Sequence, residues 1–313
     1  MGDVMLTLPI AGLIKKYRPE WEVLFLARNY ARPLIERCRH VDQFVDREDI
    51  TKHPQALSDL GAQAIIHISP DHVMATLAQQ ARIGLRVGTS HRSFHWLRCN
   101  ALVNLGRRRS PEHEAQLNAR LLEPLGIQHL LTLEEVPALY GLDVECNAPL
   151  PNKKLKIIFH PKSSGSAREW PLGHYHKLAQ LLNHEQYEIY ISGLASEGEL
   201  MREQCPELFG LPHTHDITGK FTLTEFIEFI DCADGMVAAS TGPLHVAAAL
   251  GKRVLGFFPP IKPMDPDRWA PLGNRAGFLV RDKKCDDCRR STHCPCMEFI
   301  LPEDAAAVIG EWM

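Results

Sequence analysis

Apolar, strand-like segments alternate with amphipathic helical segments along most of the chain, and this alternation constrains the fold more than any other feature of the sequence. The apolar segments are Val23–Ala27, Ala64–Ile68, Leu155–His160, Tyr187–Ser192, Gly235–Ala239 and Arg253–Phe258. Helical periodicity is found between them, for example in Leu8–Lys16, Arg32–Cys38, His72–Gln80, Glu112–Leu125, His174–Asn183, Ser196–Gln204, Leu223–Cys232 and Leu244–Leu250. This pattern predicts an α/β protein whose parallel sheets are covered by helices on both faces.

The alternation is interrupted once, near residue 150, by a polar stretch rich in proline. Residues Asn147–Lys154 read Asn-Ala-Pro-Leu-Pro-Asn-Lys-Lys, which is typical of a linker. The length of 313 residues is enough for two domains that each bury a core. We therefore predict two doubly wound domains, residues 1–150 and 151–313, with a ligand site in the cleft between them, outside the carboxyl ends of their strands.

Composition and charge exclude several classes of protein. The apolar fraction of 45% and the charged fraction of 23% are typical of a globular chain, and the net charge of −3 gives no general attraction to nucleic acid. No apolar run reaches the roughly 18 residues that a membrane-spanning helix needs, so any membrane contact is expected to be peripheral. The nine cysteines are an odd number, and we identify no signal peptide before them. We expect a cytoplasmic protein with reduced thiols, whose packing residues include Cys38, Cys99, Cys146, Cys205 and Cys232.

The first half of the chain contains a long basic interval. No acidic residue occurs between Asp71 and Glu112. The interval holds the basic residues Arg82, Arg86, Arg92, Arg98, Arg107, Arg108 and Arg109, with His72, His91 and His95. Guanidinium groups suit phosphates and carboxylates, so the interval favours an anionic partner. The alternative is a solvated surface whose acids lie elsewhere in the sequence.

The segment Ala238–Gly251 follows an apolar strand and opens a short helix. Ser240 or Thr241 can cap this helix, Gly242 removes side-chain bulk at the turn, and Pro243 suits the first helical position. Free backbone N–H groups and the positive end of the helix dipole then favour a phosphate beyond the strand. An ordinary strand–turn–helix corner is the alternative.

A second turn of the same kind follows the strand Leu155–His160. It carries hydroxyls, a glycine and two cations, namely Ser163, Ser164, Ser166, Gly165, Lys162 and Arg168. These groups can converge on a diphosphate, although a polar loop with Trp170-Pro171 packed at the next helix start is the alternative. If the two strands are adjacent and parallel, both turns lie at one sheet edge, which favours a nucleotide diphosphate.

Taken together, short motifs along nearly the whole chain resemble the lipopolysaccharide heptosyltransferases of glycosyltransferase family 9. They are Gly2–Pro9, His113–Asn118 before Leu125–Ile127, His160–Pro171, Asp216–Gly219 and Ser240–His245, in the expected order. The resemblance implies the GT-B fold, in which two Rossmann-like domains face each other across a cleft. It also implies an initial apolar strand before the Gly-Asp motif, and this sequence lacks that strand. We attribute this difference to the stated start at Met1.

The resemblance assigns roles to several residues. Asp3 matches the family's proposed general base, and a carboxylate suits the removal of a proton from an acceptor hydroxyl. Arg168 matches the basic residue before Trp-Pro that contacts the donor diphosphate. Glu197 matches the glutamate that contacts the ribose, with Glu199 as its rival. The alternative interpretations are that Asp3 only caps a helix and that Glu197 is an ordinary surface acid.

At the second turn the resemblance is close but not complete. Many relatives carry an aspartate where this chain has Ser240, which puts a carboxylate role at this position in doubt. The backbone cradle of Thr241 and Gly242 is retained. His245 matches the family's histidine that faces the diphosphate or the sugar, and the alternative is a structural histidine.

The predicted activity is that of an inverting transferase that moves heptose from ADP-heptose to the inner core of lipopolysaccharide, onto Kdo-lipid A or a core heptose. The C-terminal half is expected to hold the donor, and the N-terminal half the anionic acceptor at the membrane surface. No cofactor is expected, because cations and helix N–H groups can stabilise the leaving diphosphate. A nucleotide-sugar epimerase and a non-catalytic nucleotide-binding protein remain alternatives.

Four cysteines near the end of the chain are paired in sequence. Cys285 and Cys288 precede Cys294 and Cys296, with His293 adjacent. Two such pairs suit tetrahedral zinc, but the short spacing favours reduced structural thiols.

Overall fold

The computed structural model describes residues 1–107, 110–147, 153–281 and 294–313. The chain divides into two compact units. The N-terminal unit comprises Leu6–Asp143, and the C-terminal unit comprises Met1–Met5 together with Val144–Met313. The first helix, α1 (Gly2–Met5), therefore belongs to the C-terminal unit, although it opens the chain.

The N-terminal unit alternates short strands with short helices. Its helices are α2 (Leu8–Tyr17), α3 (Arg32–Ile35), α4 (Arg47–Lys52), α5 (Gln55–Asp59), α6 (His72–Gln80), α7 (Ser93–Arg98), α8 (Glu114–Ala119) and α9 (Val136–Leu139). Its strands are β1 (Leu24–Ala27), β2 (Gln43–Asp46), β3 (Ala64–Ile66), β4 (Leu85–Thr89) and β5 (Ala101–Val103). They form two separate parallel sheets, β1-β2 and β3-β4-β5.

Capping and proline chemistry set the helix ends in this unit. The Asp71 carboxylate accepts hydrogen bonds from the backbone N–H groups of Val73 (2.8 Å) and Met74 (3.2 Å) and thereby begins α6. The helical period predicted over Glu112–Leu125 is only partly an α-helix. It continues beyond α8 as a 3₁₀ helix, Arg120–Leu125, that contains Pro124, a residue with no N–H to donate.

The C-terminal unit is built on one parallel sheet. Its strands are β6 (Leu155–His160), β7 (Tyr187–Ile191), β8 (Thr214–Asp216), β9 (Gly235–Ala239), β10 (Arg253–Phe258) and β11 (Ala276–Val280). Its further helices are α10 (Leu172–Leu181), α11 (Ala195–Gln204), α12 (Leu223–Cys232), α13 (Gly242–Ala249), α14 (Pro266–Trp269), α15 (Pro295–Glu298) and α16 (Pro302–Gly310). The strand order is β11-β10-β9-β6-β7-β8. The α/β class with parallel sheets, predicted from the apolar alternation, is confirmed.

Trp170 anchors the core of this unit. Its indole is buried, lies 4.1 Å from the ring of Phe257 between centroids, and contacts Tyr175. The indole Nε1 donates a 2.9 Å hydrogen bond to the carbonyl oxygen of Ile300, so the polar end of the ring is also satisfied. The loop that ends at Trp170 is therefore fixed at its C-terminal end by packing on both strands and helices.

The basic interval is partly internal, which corrects its interpretation as one anion-binding surface. Arg86 donates to the carbonyl oxygens of Ile83 (2.5 Å) and Arg98 (2.8 Å). Arg107 forms an ion pair with the buried Glu114 and donates to the side chain of Asn118 at 2.9 Å. These guanidinium groups hold the unit together because they satisfy polar groups away from water. Arg108 and Arg109 lie outside the described residues.

The cysteines require a second correction. Cys146 and Cys232 form a disulfide, with Cα atoms 4.9 Å apart, so their assignment as reduced packing residues is wrong. Cys38, Cys99 and Cys205 are free and buried, as predicted. Cys294 and Cys296 are also buried thiols, whereas Cys285, Cys288 and His293 lie outside the described residues. Within the described ranges, no group of three or more His, Cys, Asp or Glu residues is arranged to hold a metal ion.

Among the helices of the described residues, none is long and apolar enough to cross a bilayer.

The ion pair of Arg107 with the buried Glu114 gives a test of the structural role of Arg107. Arg107→Glu is expected to lower the free energy of unfolding by about 3–5 kcal/mol, because it places a second carboxylate beside the buried Glu114. Urea denaturation followed by circular dichroism measures this change. Arg92→Glu is the matched control, since Arg92 is exposed, and its effect is expected to stay within about 0.5 kcal/mol. Equal losses in the two variants would contradict the internal role of Arg107.

Candidate functional site

The strand order of the C-terminal sheet reverses between β6 and β9. These two strands are paired in parallel, with His160 opposite Ala238 at their carboxyl ends. The condition stated for the two turns is therefore met, because the loop after β6 and the loop after β9 leave the sheet side by side. A reversal of this kind creates a crevice at the carboxyl edge of an open sheet, and that crevice is the usual ligand site.

The loop after β6 is braced by Glu169, a residue to which the sequence analysis gave no role. One carboxylate oxygen of Glu169 accepts hydrogen bonds from the backbone N–H (2.9 Å) and the hydroxyl (3.0 Å) of Ser163. The other oxygen pairs with the ammonium of Lys162 at 3.1 Å. Lys162 and Ser163 are thus engaged by the loop itself, while Ser164 lies exposed at its tip.

Glu197 connects the loop after β6 to the loop after β7. Its Oε1 accepts the backbone N–H (3.2 Å) and the hydroxyl (2.8 Å) of Ser164, and its Oε2 accepts the backbone N–H of Leu194 at 2.8 Å. Ser164 has a φ of 48°, a conformation that a non-glycine residue adopts only when its surroundings hold it. Glu199 is exposed on α11. Of the two rival acids, Glu197 is therefore the one that contacts the loops of the switch point.

The helix α13 begins at the carboxyl end of β9 as predicted, with Thr241 at the N-cap and Pro243 in the first turn. The hydroxyl of Thr241 makes no capping hydrogen bond. Its Oγ1 is buried and has no hydrogen-bond partner among the described residues. A buried, unsatisfied hydroxyl is costly, and a ligand that bonds to it relieves the cost. Ser240, partly buried, directly precedes it.

The short helix α1 packs against α13. A Cβ atom on Gly242 would lie 2.4 Å from the Cβ of Met1, so this close approach requires glycine at position 242. A Cβ on Gly2 would lie 3.3 Å from Cδ2 of His245, whose ring is buried. The structure therefore brings the Gly2-Asp3 motif directly beside Gly242 and His245. Asp3 itself is exposed in the first turn of α1.

Two further charged residues at this edge escaped the sequence analysis. Asp265, only 7% exposed, accepts the backbone N–H of Arg268 at 3.3 Å and thereby caps α14. Burial raises the pKa of Asp265, and the charge of Asp267 adds to this effect. Burial lowers the pKa of Arg268, while the carboxylates of Asp3 and Asp265 oppose that change. Arg268 therefore shares an electrostatic environment with Asp3. Their position just after an apolar strand, β10, is the signal that could have identified them.

His160 ends β6 beneath these loops. Its Nδ1 lies 2.9 Å from the hydroxyl of Ser192, and its ring lies 6.0 Å from that of Phe226 between centroids. Burial lowers the pKa of His160 to about 4, so the imidazole is neutral at physiological pH. His160 therefore adds no positive charge for an anion and acts as part of the floor of the site.

Arg168 is partly buried and directly precedes Glu169 and the anchored Trp170. The carboxyl edge of the sheet thus carries Arg168 on the loop after β6 and Thr241 and His245 at the start of α13. The helix α1, which bears Asp3, packs against α13. Direct contacts join Ser164 to Glu197 and α1 to α13. Helix N–H groups and a guanidinium suit an anionic leaving group, and an exposed carboxylate suits proton removal.

The link through Glu197 can be tested on the free protein. In Glu197→Ala, the backbone amides of Ser164 and Leu194 lose a charged acceptor and are expected to exchange hydrogen about 10- to 100-fold faster. Hydrogen exchange read by mass spectrometry measures this. Glu199→Ala, on the same helix, is expected to leave both amides unchanged. If neither variant alters exchange, Glu197 does not hold the two loops.

The sequence is similar to glycosyltransferases, both in a family model and in individual proteins. The model of glycosyltransferase family 9 (heptosyltransferase) matches residues 51–296. A protein of Haemophilus influenzae, named as a glycosyltransferase without an assigned substrate, is 25% identical over 296 residues, which cover 88% of this chain and 84% of that protein. The lipooligosaccharide heptosyltransferase 2 of the same organism is 30% identical over 157 residues, which cover 47% of this chain and 44% of that enzyme.

Solved structures show the same relationship at the level of the fold. The ADP-heptose lipopolysaccharide heptosyltransferase II of E. coli superposes with a TM-score of 0.78 at 20% identity, covering 99% of this chain and 95% of that enzyme. The predicted GT-B fold is thereby confirmed. With the family model matching most of the chain, the protein belongs to glycosyltransferase family 9, the heptosyltransferases, and is a glycosyltransferase.

Proposed function

We propose that the protein transfers a heptose from ADP-heptose to the inner core of lipopolysaccharide with inversion at the anomeric carbon. The observation that carries the proposal is the packing of the Gly2-Asp3 helix against the phosphate-binding turn Thr241–His245. This packing puts a candidate base and a candidate diphosphate site side by side in a chain of family 9. The named functions of its relatives support heptose as the sugar. Transfer is favoured over epimerisation because the family is one of transferases.

The C-terminal unit would bind the donor. The dipole and N–H groups of α13 and the guanidinium of Arg168 would hold the diphosphate, with Ser163, Ser164, Ser240, Thr241, Gly242 and His245 lining the site. A carboxylate has about four acceptor positions, and Glu197 uses three on its own loops. One position on Oε2 is left, which is enough for a single ribose hydroxyl. Glu197 would then hold the loops after β6 and β7 and also accept a hydrogen bond from the ribose.

The chemical step needs a base and a stabilised leaving group. Asp3 would remove the proton of the acceptor hydroxyl as its oxygen attacks the anomeric carbon. Negative charge then develops on the leaving ADP, where the first turn of α13 and Arg168 would stabilise it. The positive charge of Arg268 lies in the electrostatic environment of Asp3. The ring hydroxyls of the sugar would meet Ser240 in place of the family's carboxylate.

The N-terminal unit would bind the acceptor, whose Kdo carboxylates and lipid A phosphates match exposed arginines such as Arg92. We place the enzyme at the cytoplasmic face of the inner membrane, as a peripheral protein.

The base assignment is tested by Asp3→Asn in a transfer assay with ADP-heptose and Kdo-lipid A. The amide keeps the shape of the side chain but not its basicity, so kcat is expected to fall about 10²–10⁴-fold while donor affinity hardly changes. Asp304→Asn, another exposed acid in a first helical turn, is the control and should retain full activity. Near-normal turnover in Asp3→Asn would remove Asp3 as the base. Consumption of the donor without an acceptor would favour an epimerase.

The donor site is tested separately by calorimetry with ADP. Arg168→Ala is expected to weaken ADP binding roughly 10- to 150-fold, the range for losing a charge-assisted hydrogen bond. Arg275→Ala is the matched control, because Arg275 is exposed at the amino end of β11, the opposite edge of the sheet. Unchanged affinity in Arg168→Ala would place the diphosphate elsewhere.

A further inference from the structure

Two large apolar side chains stand next to each other on the surface of the N-terminal unit. Trp96 is 66% exposed and Leu97 is 74% exposed, both on α7. The indole Nε1 of Trp96 donates a 2.7 Å hydrogen bond to the carbonyl oxygen of Ser90. Because this bond satisfies the polar atom of the ring, what Trp96 presents to solvent is apolar. Neighbouring exposed apolar side chains of this size are a mark of an interaction surface.

The pair is carried by a well-supported helix. Gln79 of α6 donates to the carbonyl oxygen of Leu97 at 3.1 Å, and Arg98 donates to the side-chain oxygen of Gln79 at 2.7 Å. Phe94 packs its ring against His72 on α6, with centroids 5.4 Å apart. The helix α7 is thus fixed on α6, so little conformational entropy is lost when Trp96 and Leu97 contact a partner.

The surroundings of the pair are cationic. Arg92 immediately precedes α7, and Arg82 follows Gln79, with its N–H bonded to the carbonyl oxygen of that residue. Both arginines are exposed, and neither forms an ion pair within the described residues. The nearest preceding acid in the sequence, Asp71, is bound to Arg47 at 2.8 Å. The surface formed by Trp96, Leu97, Arg82 and Arg92, here called the α7 surface, therefore has a net positive charge.

This charge decides which partner fits. A second copy of the chain would bring the same arginines together without compensating acids, which is unfavourable. An anionic bilayer matches both the apolar pair and the arginines. Trp and Leu enter the boundary between headgroups and acyl chains, while arginines contact lipid phosphates. Leu130 shows the contrast: it is 91% exposed, but Glu134 and Glu135 follow it closely. Because Leu130 is a single apolar side chain with acidic residues close in sequence, we do not expect it to bind an anionic membrane.

We propose that the α7 surface docks the protein on an anionic lipid bilayer through insertion of Trp96 and Leu97. The proposal deepens the proposed function, on which it rests for the identity of the membrane-carried acceptor. The contact would hold the N-terminal unit at the lipid surface where such an acceptor is embedded.

The test is co-sedimentation with vesicles of phosphatidylcholine alone or with about one third phosphatidylglycerol. The wild-type protein is expected to bind the anionic vesicles and to release them as salt shortens the screening length. The double variant Trp96→Ala, Leu97→Ser should bind about 10- to 100-fold more weakly, from the loss of buried apolar area. Leu130→Ser is the matched control and should bind as the wild type does.

A second variant tests the charges without altering the apolar pair. Arg82→Gln with Arg92→Gln is expected to weaken anionic-vesicle binding about 30-fold and to leave the weak binding to neutral vesicles unchanged. A blue shift of tryptophan emission on vesicle binding, absent in Trp96→Phe, would report insertion directly. The proposal is overturned if the Trp96 and Leu97 variant binds like the wild type. It is also overturned if sedimentation without vesicles shows that these residues mediate self-association.

The failure of this proposal can be told apart from failure of the proposed function. With a water-soluble acceptor that lacks acyl chains, the Trp96 and Leu97 variant should transfer sugar at the wild-type rate, while transfer to vesicle-embedded acceptor should fall. Loss of activity with both acceptors would contradict docking. An enzyme that binds vesicles through the α7 surface but transfers no heptose would refute only the proposed function.

Discussion

The parallel pairing of β6 with β9 is the contact on which the rest of the site depends. It joins two strands that are about 80 residues apart in sequence and places His160 opposite Ala238. All loops at the carboxyl edge then emerge on either side of this pair, which is why a loop after β6 and a helix after β9 can act on one ligand. The same arrangement explains why the loop after β6 is held so firmly. Hydrogen bonds of Glu169 and Glu197 hold its start, and the packed Trp170 holds its end. A site built on loops needs such support because connecting segments have little packing of their own.

The sequence was most informative where one physical effect dominates. Strands β6, β9 and β10 each contain at least three consecutive buried residues, and their predicted limits agree with the structure. Strands β2, β4, β5, β8 and β11 were not predicted. Gly88 interrupts the apolar pattern of β4, and Gly277 interrupts that of β11. Gln43–Asp46 and Thr214–Asp216 carry polar residues at exposed edges, and Ala101–Val103 is too short for periodicity to register. Their pairing comes from tertiary contacts, which local sequence does not encode.

The candidate site divides in the same way. The start of α13 at Thr241–Gly242 was predicted from local chemistry, because a cap residue, a glycine and a proline stand there in succession. The choice between Glu197 and Glu199 could not be made from sequence, because it depends on which face of α11 meets Ser164. Arg107 was misread for a similar reason: its partner Glu114 lies beyond the acid-free interval but beside it in space. The disulfide of Cys146 with Cys232 joins residues 86 positions apart, and cysteine spacing gave no sign of it.

The carboxylates near the carboxyl edge of the C-terminal sheet have different surroundings, and these surroundings support different roles. Glu169 and Glu197 accept hydrogen bonds from the loops that they hold, and Asp265 is buried as the cap of α14. The oxygens of these carboxylates already accept hydrogen bonds from their own loops or are buried, so an incoming hydroxyl has less access to them. Asp3 is exposed and sits on a helix packed against α13, close to the turn suited to phosphate. An exposed carboxylate is thus set beside the turn that is proposed to hold the leaving group. Since Ser240 offers a hydroxyl where the family resemblance implies an acid, the proposed mechanism assigns proton removal to Asp3 alone.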